Sequence, residues 1–307
     1  MIKNKIKIEN RSSKISLENF SRYDADFDYM KMIDMMPSIL YGKDFKHIVR
    51  EIVERKKDGK KFILTMGAHV IKSGLQPYLK YMMKEKIVDC IAVNGAATIH
   101  DVELALYGET SEDVDKTLPK GEYACTNEPL DFINNAIVSN PGKRYGEALV
   151  DELYNINPKY ADYSFLISAY KENIPITVHF AIGNDVNHIQ DSFDAEKSGL
   201  ASYKDFVFFT DMVKDLSGGI LMNCGSAVIL PEVFLKSLAT VINQGHKIKN
   251  YLGINLDFIS QYRPNQQIVN KAKILGGQGY NLIGCHEIQI PLLFGGILQR
   301  YRSGGVI

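Results

Sequence analysis

Five of the seven histidines in this 307-residue chain, His69, His100, His179, His188 and His286, fall in or just after short apolar runs that read as β-strands. Histidine titrates near neutrality and serves acid–base work, so at least two of the five are expected to do chemistry. His179 lies inside the run ITVHFAI and reads instead as a satisfied core residue. Asp101, Glu103, Asp185 and Glu287 accompany the histidines and could supply metal ligands, but no spacing matches HExxH or a similar helix motif, and no metal is predicted. Asp101 has a plainer reading as a carboxylate in the first turn of a helix. In TSEDVD, residues 110–115, Ser111 is expected to start another helix. Lys271 and Lys273, in QQIVNKAKILGGQGYNLIG, would form a Schiff-base nucleophile if buried with a depressed pKa; a solvated loop lysine is the ordinary alternative.

These residues need elements to bring them together. Short apolar runs alternate with longer amphipathic stretches from residue 43 onward, the pattern of βαβ units around a mainly parallel sheet. Strands are predicted at 61–66, 87–93, 174–181, 219–223, 251–256 and 280–284, giving a Rossmann-like α/β domain over 43–307 with residues 1–42 as an N-terminal arm or helical extension. Five of the six strands end in a small or polar cluster: MGAH, NGAATIHD, AIGNDVNH, NCGSA, GCHE. Ligands bind outside the carboxyl ends of such strands. AVNGAATIHDVELAL, residues 92–106, therefore reads as one wall of a crevice, with small residues admitting something to the backbone and His100-Asp101 opening a helix. No GxGxxG follows any strand, so a dinucleotide would need other loops. Pro231 and Pro291 stand where a first helical turn tolerates proline, and Pro77 a little late for that.

Lys+Arg and Asp+Glu both number 36 and no long like-charged block occurs, which leaves no electrostatic footprint for nucleic acid. The four cysteines are widely spaced without CxxC pairing, as in reduced cytoplasmic proteins. The basic N-terminus has no apolar stretch of signal-peptide length, and no segment approaches the roughly 18 apolar residues of a membrane span. A soluble cytoplasmic protein is expected.

MGAHVIKSGLQPYLKYMMKEKIVDCIAVNGAATIHDVELAL, then SFLISAYKENIPITVHFAIGND, QYRPNQQIVNKAKI and IPLLFGGIL, resemble in order the successive motifs of the deoxyhypusine synthase family over about residues 40–300. The resemblance implies an NAD-dependent transferase that oxidises a polyamine or related amine, captures its butylamine piece on a lysine and passes it to an amine or lysine acceptor, such as a protein lysine. It implies NAD contacts at Ala68, His69, Val70, Asn94, Gly95, Ala96, Asp185, Cys285 and His286, with Lys273 as the covalent residue and Lys271 behind it. It also implies a homotetramer with sites built from two subunits, for which Tyr78, Tyr81, Met82 and Met83 offer apolar interface material or core.

The substrate half departs from that family. Its paired glutamates fall on Ile99 and His100, with Asp101 kept; its glycine turn falls on Leu230-Pro231-Glu232; Asn265-Gln266 replace its Asp-Glu; and this chain has no tryptophan. Exchanging carboxylates for histidines weakens attraction for a polycation. The alternatives are a family-like enzyme using His100, His188 and Asp101 on another small molecule, or a non-catalytic ligand-binding homologue. The expected geometry is convergence of His69, Asn94, Gly95, His100, Asp101, Asp185, His188 and His286 on one crevice at the carboxyl edge of the sheet.

Overall fold

The computed structural model describes residue 2 and residues 4–304. Its centre is a six-stranded, wholly parallel sheet formed by strands that follow a short strand β1 (Ser13–Ser16): β2 (Phe62–Met66), β3 (Cys90–Asn94), β5 (Ile176–His179), β6 (Ile220–Cys224), β7 (Leu252–Asp257) and β8 (Gln278–Ile283). The remaining strand, β4 (Glu109–Glu112), pairs antiparallel with β1 in a separate ribbon. The spatial order is β5-β3-β2-β6-β7-β8. Counting within the large sheet this is 3-2-1-4-5-6, the doubly wound Rossmann order, and its direction reverses between β2 and β6.

All six central strands coincide with the predicted apolar runs. Their side chains alternate between two cores, as the period of a strand requires. Leu64, Met66, Met222 and Ile254 face one core, and Ile63, Leu221, Phe234 and Ile268 belong to the other. The first is covered by helices that include Leu40–Lys57 and His286–Arg302, the second by Ala195–Val213, Ile229–Asn243 and the turn of helix ending at Ile274. On Leu40–Lys57 the buried residues Ile48, Val49, Ile52 and Val53 form one stripe, each side chain contributing about 1.5–3 kcal/mol on burial.

The second core carries a polar line through it. Thr65, Asn223, Asn255 and Asn281 lie opposite one another in register across four strands. Thr65 donates to Asn223 at 2.9 Å, Asn223 to Asn255 at 2.8 Å, and Asn255 to Asn281 at 2.7 Å. A second Asn223 bond, to the Ser226 carbonyl, ties the ladder to the loop after β6.

Several local expectations are corrected. Residues 109–112 form β4 rather than a helix start, because Gly108 at φ 75° ends the preceding helix and turns the chain back against β1, and Ser111 itself sits at φ 64°. A short helix begins only at Val114. Pro77 occupies the first turn of Gln76–Lys84, whereas Pro291 lies inside His286–Arg302, which starts five residues earlier. Tyr78, Met82 and Met83 are core residues, since the apolar face of their helix packs inward; the Tyr81 ring packs against Tyr23 from the arm at 4.3 Å, tilted by 42°. The arm proposed for residues 1–42 ends inside the Leu40–Lys57 helix. Its Tyr29 and Ile33 rest on Gly295 and Gly296, where a Cβ on either glycine would stand 2.3 Å from the arm side chain.

Candidate functional site

Strand β3 runs directly into the helix Gly95–Tyr107, with the Asn94 side chain accepting from the Ala97 amide at 3.2 Å as the N-cap. The helix starts five residues before His100, so His100 and Asp101 occupy its second turn. What reaches the small residues is part of this chain: a Cβ on Gly95 would stand 2.1 Å from Asp185 Oδ2. Asp185 thus brings a carboxylate to the positive end of the helix. Burial pushes this carboxyl up to about 6, against the lowering pull of the Asn184 side chain and the Ala96 amide.

His100 and Asp101, adjacent in sequence, point about 100° apart around the helix. His100 lines a cavity of about 250 Å³ together with Arg11, Ala96, Glu103, Glu112 and Asp185. Asp101 is fully buried elsewhere. It accepts from Ser164 Oγ and from the amides of Phe165 and Leu166, capping the helix Phe165–Lys171, and burial raises its carboxyl to about 7 despite those bonds. The structure therefore places Asp101 in a structural cap rather than in the cavity.

Arg11, from the arm just before β1, makes a buried ion pair with Glu103 Oε1, and Thr110 of β4 donates to Glu103 Oε2 at 2.6 Å. Thr110 also meets His100 Nδ1 at 2.7 Å. Opposite this network, Glu112 Oε2 accepts from the Ala124 amide at 3.1 Å, while Glu112 Oε1, Asp185 Oδ2 and Arg11 Nε are buried without a hydrogen-bond partner. All three atoms belong to residues that line the cavity. Its volume lies below the roughly 300–1,000 Å³ of sites for drug-sized ligands, which suits a smaller molecule.

A second group lies at the strand-order reversal. Gly67 after β2 and Gly225 after β6 pack backbone to backbone, a Cβ on Gly67 standing 2.4 Å from the Gly225 carbonyl. His286 is buried against Gly225 and 5.2 Å, ring to ring, from His69, whose Nε2 lies 3.4 Å from Glu287. His286 Nε2 donates to the Leu256 carbonyl at 3.2 Å, which leaves Nδ1 as a buried acceptor without a partner. Ala68 is half-buried, Val70 belongs to the core, and Cys285 is exposed ahead of the last helix.

The predicted site thus divides. Ala96, His100 and Asp185 line the cavity, while Asn94 caps the helix and Gly95 lies against Asp185 without lining it; Ala68, His69, Cys285 and His286 gather at the reversal. His188 joins neither group: its Nδ1 accepts from the Gly183 amide at 3.2 Å and its ring packs between Phe180 and Phe193, which holds the loop after β5 in shape. His179, read from the sequence as a core residue, is buried against Phe209. Lys271 and Lys273 lie in the helical turn that precedes β8, at the amino edge of the sheet, with Lys273 exposed. Arg11, Thr110 and Glu112 escaped sequence reasoning; Glu103, three residues past His100 on the same helix face, carried a legible signal as its neighbour. Among the described residues no group of three or more His, Cys, Asp or Glu side chains is placed to hold a metal, and no helix is long and apolar enough to cross a membrane.

Residues 46–138 match the family pattern described as arginine dihydrolase ArgZ-like, C-terminal, Rossmann fold. Over 77 residues the chain is 36% identical to an ornithine cyclodeaminase of Methanothermobacter thermautotrophicus, a match covering 25% of this chain and 18% of that protein. Among solved structures, AgrE in ternary complex with ornithine and NAD+ superposes with a TM-score of 0.52 at 13% identity, covering 86% of this chain and 34% of AgrE. A putative deoxyhypusine synthase from Entamoeba histolytica superposes with a TM-score of 0.54 at 11% identity, covering 90% of this chain and 96% of that one. The chain spans about a fifth of the cyclodeaminase and about a third of AgrE. With deoxyhypusine synthase the likeness is one of fold, and it is shared with AgrE. The six parallel strands, their order and these likenesses together make this a Rossmann-like α/β protein.

Proposed function

We propose that this chain is an NAD-using enzyme acting on a small amine, with the amine held in the cavity beside His100. One observation carries the reading: two carboxylate oxygens, Asp185 Oδ2 and Glu112 Oε1, are buried in residues that line the cavity and make no hydrogen bond of ordinary geometry, the Ala96 amide near Asp185 included. Buried acceptors left unpaired are costly, and an ammonium group supplies the donors they lack. Both AgrE, solved with ornithine and NAD+, and the cyclodeaminase of the local sequence match support an amine of this kind.

NAD, when bound, would supply a hydride acceptor. The loops at the strand-order reversal fit a dinucleotide in one respect: His286 offers a buried unpartnered Nδ1, an acceptor for a hydroxyl or amide donor, while Gly67 and Gly225 are taken up by each other and by the His286 ring. The β3 turn fits one poorly, because the Asp185 carboxylate already lies at that helix end and repels phosphate. Ala68, His69, Cys285 and His286 are therefore the residues we assign to cofactor, and Ala96 and Asp185 to the cavity, with Asn94 and Gly95 shaping the helix start beside it.

Butylamine-type transfer through Lys273 or Lys271 is the second reading, favoured by the fold shared with a deoxyhypusine synthase over 90% of the chain. In its own chain each lysine sits at the opposite edge of the sheet from the cavity, so this chemistry requires a lysine from a second copy, as in the proposed tetramer. Borohydride trapping with spermidine and NAD+ reads it directly. The amine reading is tested by calorimetric titration with L-ornithine, L-arginine and spermidine. Binding of at least one is expected, weakened roughly 10- to 100-fold by Asp185→Asn or Glu112→Gln through loss of a charge-assisted hydrogen bond. Undiminished binding in both variants would defeat it.

A further inference from the structure

Glu103 lies between a cation and a hydroxyl, and that placement settles where the hydrogens go. Its Oε1 is paired with the buried Arg11 guanidinium, and a carboxylate in such an ion pair only accepts. The single hydroxyl hydrogen of Thr110 is therefore spent on Glu103 Oε2, 2.6 Å away. Toward His100, Thr110 Oγ1 has only a lone pair to offer. At 2.7 Å the hydrogen between them must belong to His100 Nδ1. The ring lines the cavity, and Nε2 is the nitrogen left for a ligand.

We propose that Thr110, Glu103 and Arg11 are positioning residues that hold His100 as its Nδ1–H tautomer, so that Nε2 serves as the base for the ligand in the cavity. The base role rests on the amine reading above; the tautomer does not. The step is a proton transfer: one N–H bond of the bound ammonium breaks, an Nε2–H bond forms, and a neutral amine faces an imidazolium. The new positive charge is met through Nδ1–H and the Thr110 hydroxyl by the Glu103 carboxylate. Burial holds the His100 pKa below its usual value, with Lys72 and Arg11 pulling the same way and Glu103 opposing them in part, so the ring is a neutral acceptor at pH 7. The segments carrying these groups are far apart in sequence: Arg11 and Glu103 are separated by 92 residues. The pairing of β1 with β4 brings them together, with Ile15 opposite Thr110.

Long-range proton–nitrogen correlation spectra of histidine-labelled protein at neutral pH test this, with His100→Gln identifying the resonances. The expected result is an Nδ1–H tautomer for His100. A neutral imidazole freed of partners favours Nε2–H, so Thr110→Val should shift the population to a majority of Nε2–H, and Thr110→Ser should restore it. An Nε2–H ring in the unmodified protein overturns the proposal, and that measurement stands even if the valine variant fails to fold. So does a tautomer indifferent to valine in a folded variant. Titration with L-ornithine or spermidine then separates the two claims. A shifted Nε2 resonance supports the base. Amine binding that leaves Nε2 unmoved overturns the base role while the amine reading survives. No amine binding, with the Nδ1–H form present, overturns the amine reading and the base role together and leaves the positioning network standing.

Discussion

The carboxylate of Asp185 rests on the bare Cα of Gly95: a Cβ there would stand 2.1 Å from Oδ2 and 2.7 Å from Cγ. The turn at the end of β3 and the loop after β5 are thereby interlocked. Gly95→Ala is expected to push the Asp185 side chain out and to cost about 1–3 kcal/mol, the usual price of overpacking. Chemical denaturation measures the loss. Combining Gly95→Ala with Asp185→Gly should recover much of it by removing the clash.

The same carboxylate predicts a pH dependence for ligand binding. An ammonium pairs with ionised Asp185, whose carboxyl is raised by burial to about 6. Affinity for a cationic amine should therefore fall as pH is lowered through about 6, and Asp185→Asn should remove that inflection. For folding the sign is opposite. The folded chain holds this proton more tightly than the unfolded chain, so this group costs stability above about 6 and the cost is relieved as pH falls toward the ordinary aspartate range. Calorimetric titrations and denaturation curves between pH 5 and pH 8 separate the two.

Asp101→Ala removes three hydrogen bonds at the start of the Phe165–Lys171 helix. A loss of about 1–3 kcal/mol is expected, from the lost cap and the donors left unpaired. Amine affinity, measured in the folded population, should change by less than about threefold, because Asp101 faces away from the cavity, and an effect of that size is about 0.6 kcal/mol. Selective loss of binding at undiminished stability would return Asp101 to the site.

Asn223→Ala interrupts the polar ladder between Thr65 and Asn255 and frees the Ser226 carbonyl. Buried partners left without bonds predict about 1–3 kcal/mol of destabilisation. Hydrogen exchange should quicken in the loop after β6 before it does in β3, which the ladder does not reach.

Local pattern alone determined the sheet. Five of the six central strands are apolar runs closed by small or polar residues, and burial on both faces of the inner parallel strands leaves those runs little freedom to lie elsewhere. It also marked the carboxyl edge as the place where chemistry-bearing residues collect, and it marked His100 there. Three things were decided only by tertiary structure. Helical phase separated His100 from Asp101, because the helix begins at Gly95 and neighbouring residues then diverge by about 100°. The arm supplied Arg11 to Glu103 across 92 residues, a contact set by the pairing of β1 with β4 and by no local signal. The small residues after β3, legible as room for an approaching group, turned out to admit Asp185 of the same chain, since a missing Cβ records that something comes close and not what it is.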